Sequence, residues 1–276
     1  MPIRLIVADL DGTLLDSAHT VTPQTEQAIR SALARGILFT VATGKTYPST
    51  VRHIQNFDIQ IPVICGNGTL VHAPDGTILY EDPIPHDIAL EVVQMARARG
   101  ITPVIYAGRG LLAPEYNGNI NVLVAHHEPE PEIVPDLEAA MSNSHKPHKL
   151  ILIDQDNLDA VAEFQVELEQ TFTGRAAVMR TGLASVVEVL PLGVTKGTAL
   201  AVIQERLGIS PEETFAIGDN FNDLDMIQRS GIGVAMGHAP ETVRQGADYV
   251  TGSNDENGVA DAINRLVLET AGDGKG

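Results

Sequence analysis

Two aspartates stand where a strongly apolar segment near the N-terminus ends. The residues from Ile3 to Ala8 are apolar except for Arg4, a pattern typical of a parallel strand buried on both faces. The chain then continues Asp9-Leu-Asp-Gly-Thr-Leu. Ligands of open α/β sheets bind beyond the carboxyl ends of the strands, so the carboxylates of Asp9 and Asp11 are placed for chemistry there. An ordinary strand-end turn uses the same residue types, and this segment alone does not decide between the two interpretations.

Other predicted strand and helix ends carry side chains that suit phosphate and metal chemistry. Besides Asp9 and Asp11 they are Thr43, Gly44, Lys196, Asp219, Asn222 and Asp223. Two like charges 4 Å apart cost about 4 kcal/mol at an effective dielectric constant of 20, so four converging carboxylates need a cation. Mg2+ fits, because it binds a few carboxylates together with substrate phosphate. The hydroxyl, amide and ammonium donors suit phosphate oxygens, and the whole set indicates phosphoryl transfer through an aspartyl-phosphate.

Alternating strand and helix patterns must position these residues. Thr22-Pro23 has the chemistry of a helix start, and the segments 37–42 and 61–65 are apolar strand candidates. Near the C-terminus we expect a helix over 196–207, a strand over 214–217 and a closing helix over 259–268. Such alternation predicts an α/β fold with a doubly wound, mostly parallel sheet.

The middle of the chain has a different pattern. It predicts a helix over 87–99, a strand over 101–106, a polar stretch over 108–121, a strand from Val122 to Ala125, and further alternating elements to residue 190. We therefore expect an α+β module at residues 84–189, inserted into a core domain made of residues 1–83 plus 190–276.

Four segments of the chain resemble, in order, the four motifs of the haloacid dehalogenase superfamily. They are Asp9-Leu-Asp-Gly-Thr-Leu-Leu, Ala42-Thr-Gly-Lys, Lys196-Gly-Thr-Ala-Leu and Gly218-Asp-Asn-Phe-Asn-Asp. The resemblance is to the Cof-type (subclass IIB) phosphatases, whose turn and hairpin are also similar to Gly66-Asn-Gly and the residues after it. It implies a Rossmann-like core with an inserted α+β cap of the C2B type that closes over the site and selects the leaving group.

The resemblance also implies a role for each site residue. Asp9 would attack phosphorus, and Asp11 would act as general acid and then as general base. Thr43 and Lys196 would hold the phosphoryl group, with Gly44 and Asn222 as further phosphate donors. Asp9, the main-chain carbonyl of Asp11, and Asp219 would bind Mg2+, with Asp223 as a direct or indirect metal partner. The family usually has arginine where this chain has Lys45, so we expect no specific substrate role for Lys45.

The expected activity is Mg2+-dependent hydrolysis of a small phosphorylated metabolite, such as a sugar phosphate or phosphoglycolate, by a phosphoric monoester hydrolase. There are two alternatives. One is a phosphomutase, and the other is a binding module that is regulated by phosphorylation of Asp9 without turnover. A net charge of -18 without a basic patch argues against nucleic acid and anionic membranes as partners, and no macromolecular partner is evident. The single cysteine, Cys65, fits a core position and the reducing cytoplasm.

Overall fold

The computed structural model describes residues 1–143, 145–180 and 182–269, which form two compact units. Unit 1 comprises Met1–Gly44, Thr50–Thr77 and the chain from Thr195 onward. Unit 2 comprises Lys45–Ser49 and Ile78–Val194. The module expected at residues 84–189 falls within unit 2.

Strands and helices alternate along most of the chain. The strands are β1 (Leu5–Ala8), β2 (Leu38–Val41), β3 (Val63–Cys65), β4 (Leu70–His72), β5 (Ile78–Glu81), β6 (Thr102–Ala107), β7 (Gly110–Ala113), β8 (Glu132–Ile133), β9 (Lys149–Ile153), β10 (Ala176–Met179), β11 (Val186–Pro191), β12 (Thr214–Gly218), β13 (Ile232–Ala235) and β14 (Tyr249–Val250). The helices are α1 (Pro23–Ala34), α2 (Tyr47–Ile54), α3 (His86–Ala98), α4 (Gly118–Ala125), α5 (Leu137–Asn143), α6 (Leu158–Thr171), α7 (Lys196–Leu207), α8 (Leu224–Gln228), α9 (Glu241–Gln245) and α10 (Gly258–Ile263).

A parallel sheet with the order β14-β13-β12-β1-β2 forms the centre of unit 1. A bridge between Ala42 and Ile64 places β3 beside the end of β2. Every residue of β1 is buried, as its apolar sequence predicts. The chain leaves β1 toward β2 on one side and returns to β12 on the other, so the winding direction reverses at β1. The predicted doubly wound parallel sheet is confirmed, and its switch point, where such folds bind ligands, lies at the ends of β1 and β12.

Unit 2 has the α+β character that the sequence predicts. Its six-stranded sheet has the order β10-β11-β9-β6-β7-β8, and all neighbours are antiparallel except β7 and β8. Residues of α3, α5 and α6, among them Val92, Leu137 and Phe164, are buried in one core cluster with residues of the sheet. Unit 2 therefore has a core of its own.

The strand predicted at Val122–Ala125 is wrong, because these residues end helix α4. The side-chain oxygen of Asn117 accepts hydrogen bonds from the backbone N–H groups of Asn119 (3.0 Å) and Ile120 (3.4 Å) and starts the helix. A short apolar run fits a strand or a buried helix equally well by pattern alone. The polar stretch expected at 108–121 likewise contains a strand, β7, that pairs with β6.

Other local sequence signals predict the helix ends correctly. Thr22 caps α1 by accepting a hydrogen bond from the backbone N–H of Thr25, with Pro23 as the first helical residue. The helix predicted over 196–207 is confirmed at both ends, and Gly208 ends it in the left-handed conformation. Cys65 is fully buried in β3. None of the helices in the described part of the chain is long and apolar enough to cross a membrane.

One buried histidine of unit 2 has a fixed hydrogen-bond pattern. The His148 side chain is 2% exposed. The backbone N–H of Gly108 donates to His148 Nδ1 (3.1 Å), which leaves Nε2 to donate to Glu81 Oε2 (3.0 Å). Burial lowers the pKa of His148, and the interaction with Glu81 opposes part of this effect. The neutral ring is therefore the form that the fold accommodates.

We expect acid to destabilise the protein through His148. The unfolded chain takes up this proton first, so the stabilisation is complete above pH of about 6.5 and is lost as the pH falls from there through the lowered folded-state pKa. Each pKa unit of lowering corresponds to about 1.4 kcal/mol. Urea unfolding at pH 7.5 and 5.5 should show a smaller loss of stability in His148→Gln than in the wild type. The same substitution at the exposed His86 is the control, and an unchanged pH dependence in His148→Gln would contradict the prediction.

Candidate active site

Three of the predicted site residues lie at the carboxyl ends of neighbouring strands of the parallel sheet. Asp9 comes after β1, and its backbone N–H donates to the carbonyl of Ile217 in β12 (2.9 Å). Thr43 lies shortly after β2, and its N–H donates to the carbonyl of Ile64 in β3 (3.0 Å). Asp219 comes immediately after β12. Because the strands run in parallel, these residues lie along one edge of the sheet, at its switch point.

Lys196 holds two of the carboxylates together. Its Nζ donates to Asp9 Oδ1 at 2.5 Å and to Asp223 Oδ1 at 2.6 Å. The side chains are almost completely buried, with 1% exposed for Lys196, 8% for Asp9 and none for Asp223. Burial alone would lower the pKa of Lys196, but Asp223 and Asp9 outweigh it and raise that pKa. The lysine is therefore charged at neutral pH.

Asp223 also fixes the backbone of the turn after β12. Its second oxygen, Oδ2, accepts hydrogen bonds from the backbone N–H groups of Asp219 (3.0 Å) and Asn220 (2.9 Å). A Cβ atom at Gly218 would overlap the Asp223 side chain, so only glycine fits there. Both oxygens of Asp223 thus have protein donors, and the residue links the turn to Lys196.

The Asp219 carboxylate lies against the turn after β1. Thr13 Oγ1 donates to Asp219 Oδ1 (2.9 Å), and Gly12 has a φ of 80°. A Cβ atom at Gly12 would lie 2.8 Å from Asp219 Oδ2. Glycine is therefore required at position 12 for two reasons: the left-handed backbone and the close approach of the Asp219 carboxylate.

The three carboxylates suit a hard divalent cation. Among the described residues, oxygens of Asp9, Asp219 and Asp223 form a cluster in which all lie within 4.8 Å of one another. Burial, followed by Asp223, raises the pKa of Asp9 well above its ordinary value and also raises the pKa of Asp219. Lys196 supplies one positive charge against three carboxylates, so an additional cation would favour their ionised forms. Oxygen ligands of this kind fit Mg2+, and Asp9 and Asp219 are the residues that would hold it. Both oxygens of Asp223 already accept from protein donors, so its part as a direct or indirect metal partner stays a prediction.

The Asp11 side chain lies outside this cluster and outside the core. It is 42% exposed, and its Oδ1 lies 4.0 Å from Nδ1 of His19. A bridge between Asp11 and Leu15 closes the turn that carries it. Asp11 therefore has the access to solvent that a proton-transferring group needs, and its main-chain contact with a metal stays a prediction.

Asn67, which the sequence analysis did not place in the site, contacts three predicted site residues. They are Thr43, Gly44 and Asn222. The backbone N–H of Asn67 donates to the carbonyl of Thr43 (2.9 Å). The Asn67 Oδ1 atom accepts a hydrogen bond from Asn222 Nδ2 (2.9 Å). A Cβ atom at Gly44 would lie 2.9 Å from the same Oδ1. The Gly-Asn-Gly turn was the available signal, since asparagine between glycines favours a left-handed turn.

Two other positioning residues escaped prediction. Thr13, within the first motif, orients Asp219 as described above. Asp225 accepts a hydrogen bond from the Thr195 hydroxyl and thereby holds the first turn of α7, which carries Lys196. Neither contact has a local sequence signal, because each joins residues that are far apart in the chain.

Lys45 makes a hydrogen bond inside unit 2. Its Nζ donates to the backbone carbonyl of His126 at 2.6 Å, and the residue is 7% exposed. The next residue, Thr46, donates through its hydroxyl to Glu128 Oε2 (2.7 Å). The segment after Gly44 is therefore fixed by residues 126–128.

We expect Lys196→Met to destabilise the protein strongly. Removing one partner of a buried ion pair leaves uncompensated charge and costs about 3–5 kcal/mol. Urea unfolding at pH 8 in EDTA measures the loss. The control is Lys146→Met, since Lys146 pairs with Glu81 but is 61% exposed and should contribute less than about 1 kcal/mol. Equal small losses in the two variants would refute the prediction.

Comparison with known proteins agrees with this architecture. The pyridoxal phosphate phosphatase YbhA of Escherichia coli is 29% identical over 273 residues, which cover 95% of this chain and 98% of that protein. The crystal structure of a Thermotoga maritima protein matches with a TM-score of 0.84 at 28% identity, and covers 96% of this chain and 97% of that one.

A longer relative also matches. The chloroplastic endoribonuclease YBEY of Arabidopsis thaliana is 28% identical over 273 residues, which are 95% of this chain and 46% of that protein. The chain thus spans about half the length of this relative. The family model of haloacid dehalogenase-like hydrolases matches residues 6–263, nearly the whole chain. This match confirms the predicted family: the chain belongs to the haloacid dehalogenase-like hydrolases.

Proposed function

We propose that this chain hydrolyses a small phosphorylated metabolite, such as a sugar phosphate or phosphoglycolate, through an aspartyl-phosphate on Asp9. The family match, together with phosphatase relatives such as YbhA, supports the assignment as a phosphoric monoester hydrolase. The observation that carries the proposed aspartyl-phosphate mechanism is the buried arrangement of Asp9, Lys196 and Asp223 at the switch point of the sheet.

Asp9 is the nucleophile in this mechanism. Its oxygen forms a bond to phosphorus while the bond between phosphorus and the leaving oxygen breaks. Lys196 donates to Asp9 Oδ1, so it orients the carboxylate and favours the ionised form that attacks. When bound at Asp9 and Asp219, Mg2+ supplies positive charge that favours ionised carboxylates and neutralises phosphate oxygens.

Asp11 moves the proton in both steps. In the first step its carboxyl group gives a proton to the leaving oxygen, and in the second it takes a proton from the water that attacks the aspartyl-phosphate. The products are inorganic phosphate and the free Asp9 carboxylate. The partial exposure of Asp11 supports this role, because both the leaving group and the water must reach it.

Four donors are assigned to the phosphoryl oxygens. They are the Thr43 hydroxyl, the Gly44 backbone N–H, the Lys196 ammonium and the Asn222 amide. Asn222 Nδ2 carries two hydrogens, of which one binds Asn67 and the other remains for phosphate. Fixed donors of this kind stabilise the charge that spreads over the transferring group. Unit 2, as the cap of this family, is proposed to select the leaving group.

Release of inorganic phosphate tests the activity. We expect release from at least one member of a panel of sugar phosphates, phosphoglycolate and pyridoxal phosphate in Mg2+, and none in EDTA. Asp9→Asn should reduce release to background, and Asp11→Asn should lower kcat by about 10²–10⁴-fold. Asp159→Asn, the same change at an exposed site in α6, should leave the rate unchanged.

The same assay separates the alternatives. An isomerised phosphate ester without free phosphate would indicate a mutase. An Asp9 phosphate that persists for minutes without turnover would indicate a regulatory module. Either result would reject the hydrolase mechanism proposed here.

Mg2+ should also stabilise the protein in the absence of substrate. A ligand at 100 times its Kd contributes about 2.7 kcal/mol when it binds only the folded state. We expect Mg2+ to raise the Tm of the wild type and of Asp159→Asn, and to have much less effect on Asp219→Asn. Thermal unfolding with Mg2+ or EDTA measures this. Equal shifts in Asp219→Asn and the wild type would remove Asp219 from the metal site.

A further inference from the structure

The turn Gly66–Gly68 contacts three of the four segments that carry the candidate active site. It lies between β3 and β4 in unit 1, and all of its residues are buried. Asn67 is 3% exposed and left-handed, with φ 60° and ψ 28°. A buried polar side chain in this conformation needs a reason, and the contacts of the turn supply one.

The first contact is with the proposed phosphate-binding segment after β2. The backbone N–H of Asn67 donates to the carbonyl of Thr43, and the side-chain oxygen of Asn67 lies against Gly44. A side chain at position 44 would collide with this oxygen. Asn67 therefore fixes the place of the Thr43–Gly44 backbone.

The second contact is with Asn222. The hydrogen bond from Asn222 Nδ2 to Asn67 Oδ1 joins residues that are 155 positions apart in the chain. Since Asn67 presents an acceptor, it selects the orientation in which Asn222 turns its NH2 group, rather than its carbonyl, toward Asn67. This orientation also keeps the second hydrogen of Nδ2 at a fixed place.

The third contact is with the start of α7. Gly68 has a φ of 102°, and a Cβ atom there would overlap the carbonyl oxygen of Thr195. Thr195 is the N-cap residue of the helix whose first residue is Lys196. The turn therefore touches the backbone beside the lysine that orients Asp9.

We propose that Asn67 is a positioning residue that sets the distance between two phosphate donors, the Gly44 backbone N–H and the Asn222 amide. The inference rests on the proposed function, because these donors are assigned to phosphate there. Asn67 acts through Gly44 and Asn222. Its loss should leave the fold intact and weaken the binding of the phosphoryl group.

Asn257, which is half-buried, provides a control with the same backbone conformation. It is also left-handed, with φ 62° and ψ 32°, and its Oδ1 accepts one side-chain hydrogen bond, from the Thr22 hydroxyl (2.7 Å). It belongs to unit 1 but contacts the start of α1 instead of the site. Glycine tolerates a left-handed backbone, so Asn67→Gly and Asn257→Gly each remove the amide without forcing the backbone to move.

Calorimetric titration with inorganic phosphate in the presence of Mg2+ tests the proposal without needing the natural substrate. We expect Asn67→Gly to raise the Kd for phosphate about tenfold, as for the loss of one well-placed hydrogen bond. Asn257→Gly should bind like the wild type, and thermal unfolding should show that both variants are folded at the temperature of the titration. In an Asn222→Ala background, Asn67→Gly should have a smaller effect than it has alone, since Asn67 acts partly through Asn222.

Each outcome has one meaning. The positioning role would be overturned if Asn67→Gly bound phosphate with wild-type affinity, or if Asn257→Gly lost as much affinity as Asn67→Gly. In either case, phosphate release from esters would leave the proposed function standing. Phosphate binding that depends on Asn67, without turnover of any ester, would keep the positioning role and reject the hydrolase. A wild type that binds no phosphate would overturn the positioning role, whereas the proposed function would still be decided by phosphate release from esters.

Discussion

Lys196 is buried between Asp9 and Asp223, and a charge in such a position is stable only while its partners remain in place. Three separate parts of the chain must therefore be held in register: the end of β1, the turn after β12 and the start of α7. The parallel pairing of β1 with β12 fixes the first two. Thr195 and Asp225 fix the third. The positions of these three segments in unit 1 thus depend on one buried ammonium group.

Close approach of backbone segments is the second constraint. A side chain at Gly12 would meet Asp219, one at Gly68 would meet Thr195, and one at Gly218 would meet Asp223. These glycines bring the loops after the strands within hydrogen-bonding distance of one another. The ion pairs and the glycine contacts depend on each other, because carboxylates can converge only where the backbone leaves room.

Features marked by neighbouring residues are predictable from this sequence, and features made by distant residues are not. Thr22-Pro23 marks the start of α1, Gly208 marks the end of α7, and the apolar run before Asp9 marks a buried strand. The strand predicted at Val122–Ala125 is wrong because a short apolar run fits a strand or a buried helix equally well by pattern alone. The role of Asn67 was missed because its partner, Asn222, lies in another segment altogether. The sequence motifs identify Asp9, Asp219 and Asp223, but only the fold shows which other residues hold these carboxylates in place.

Charge balance explains why the site needs more than Lys196. In the proposed mechanism Asp9 must be ionised to attack phosphorus, yet burial and the neighbouring carboxylates raise its pKa. A phosphate ester brings about two further negative charges to the same place. With Asp9, Asp219 and Asp223 ionised, the bound ester would bring the total to about five negative charges, of which Lys196 offsets one and a divalent cation would offset two more. The crowding of carboxylates that raises the pKa of Asp9 is therefore also what would favour a cation at this site, as the proposed mechanism requires.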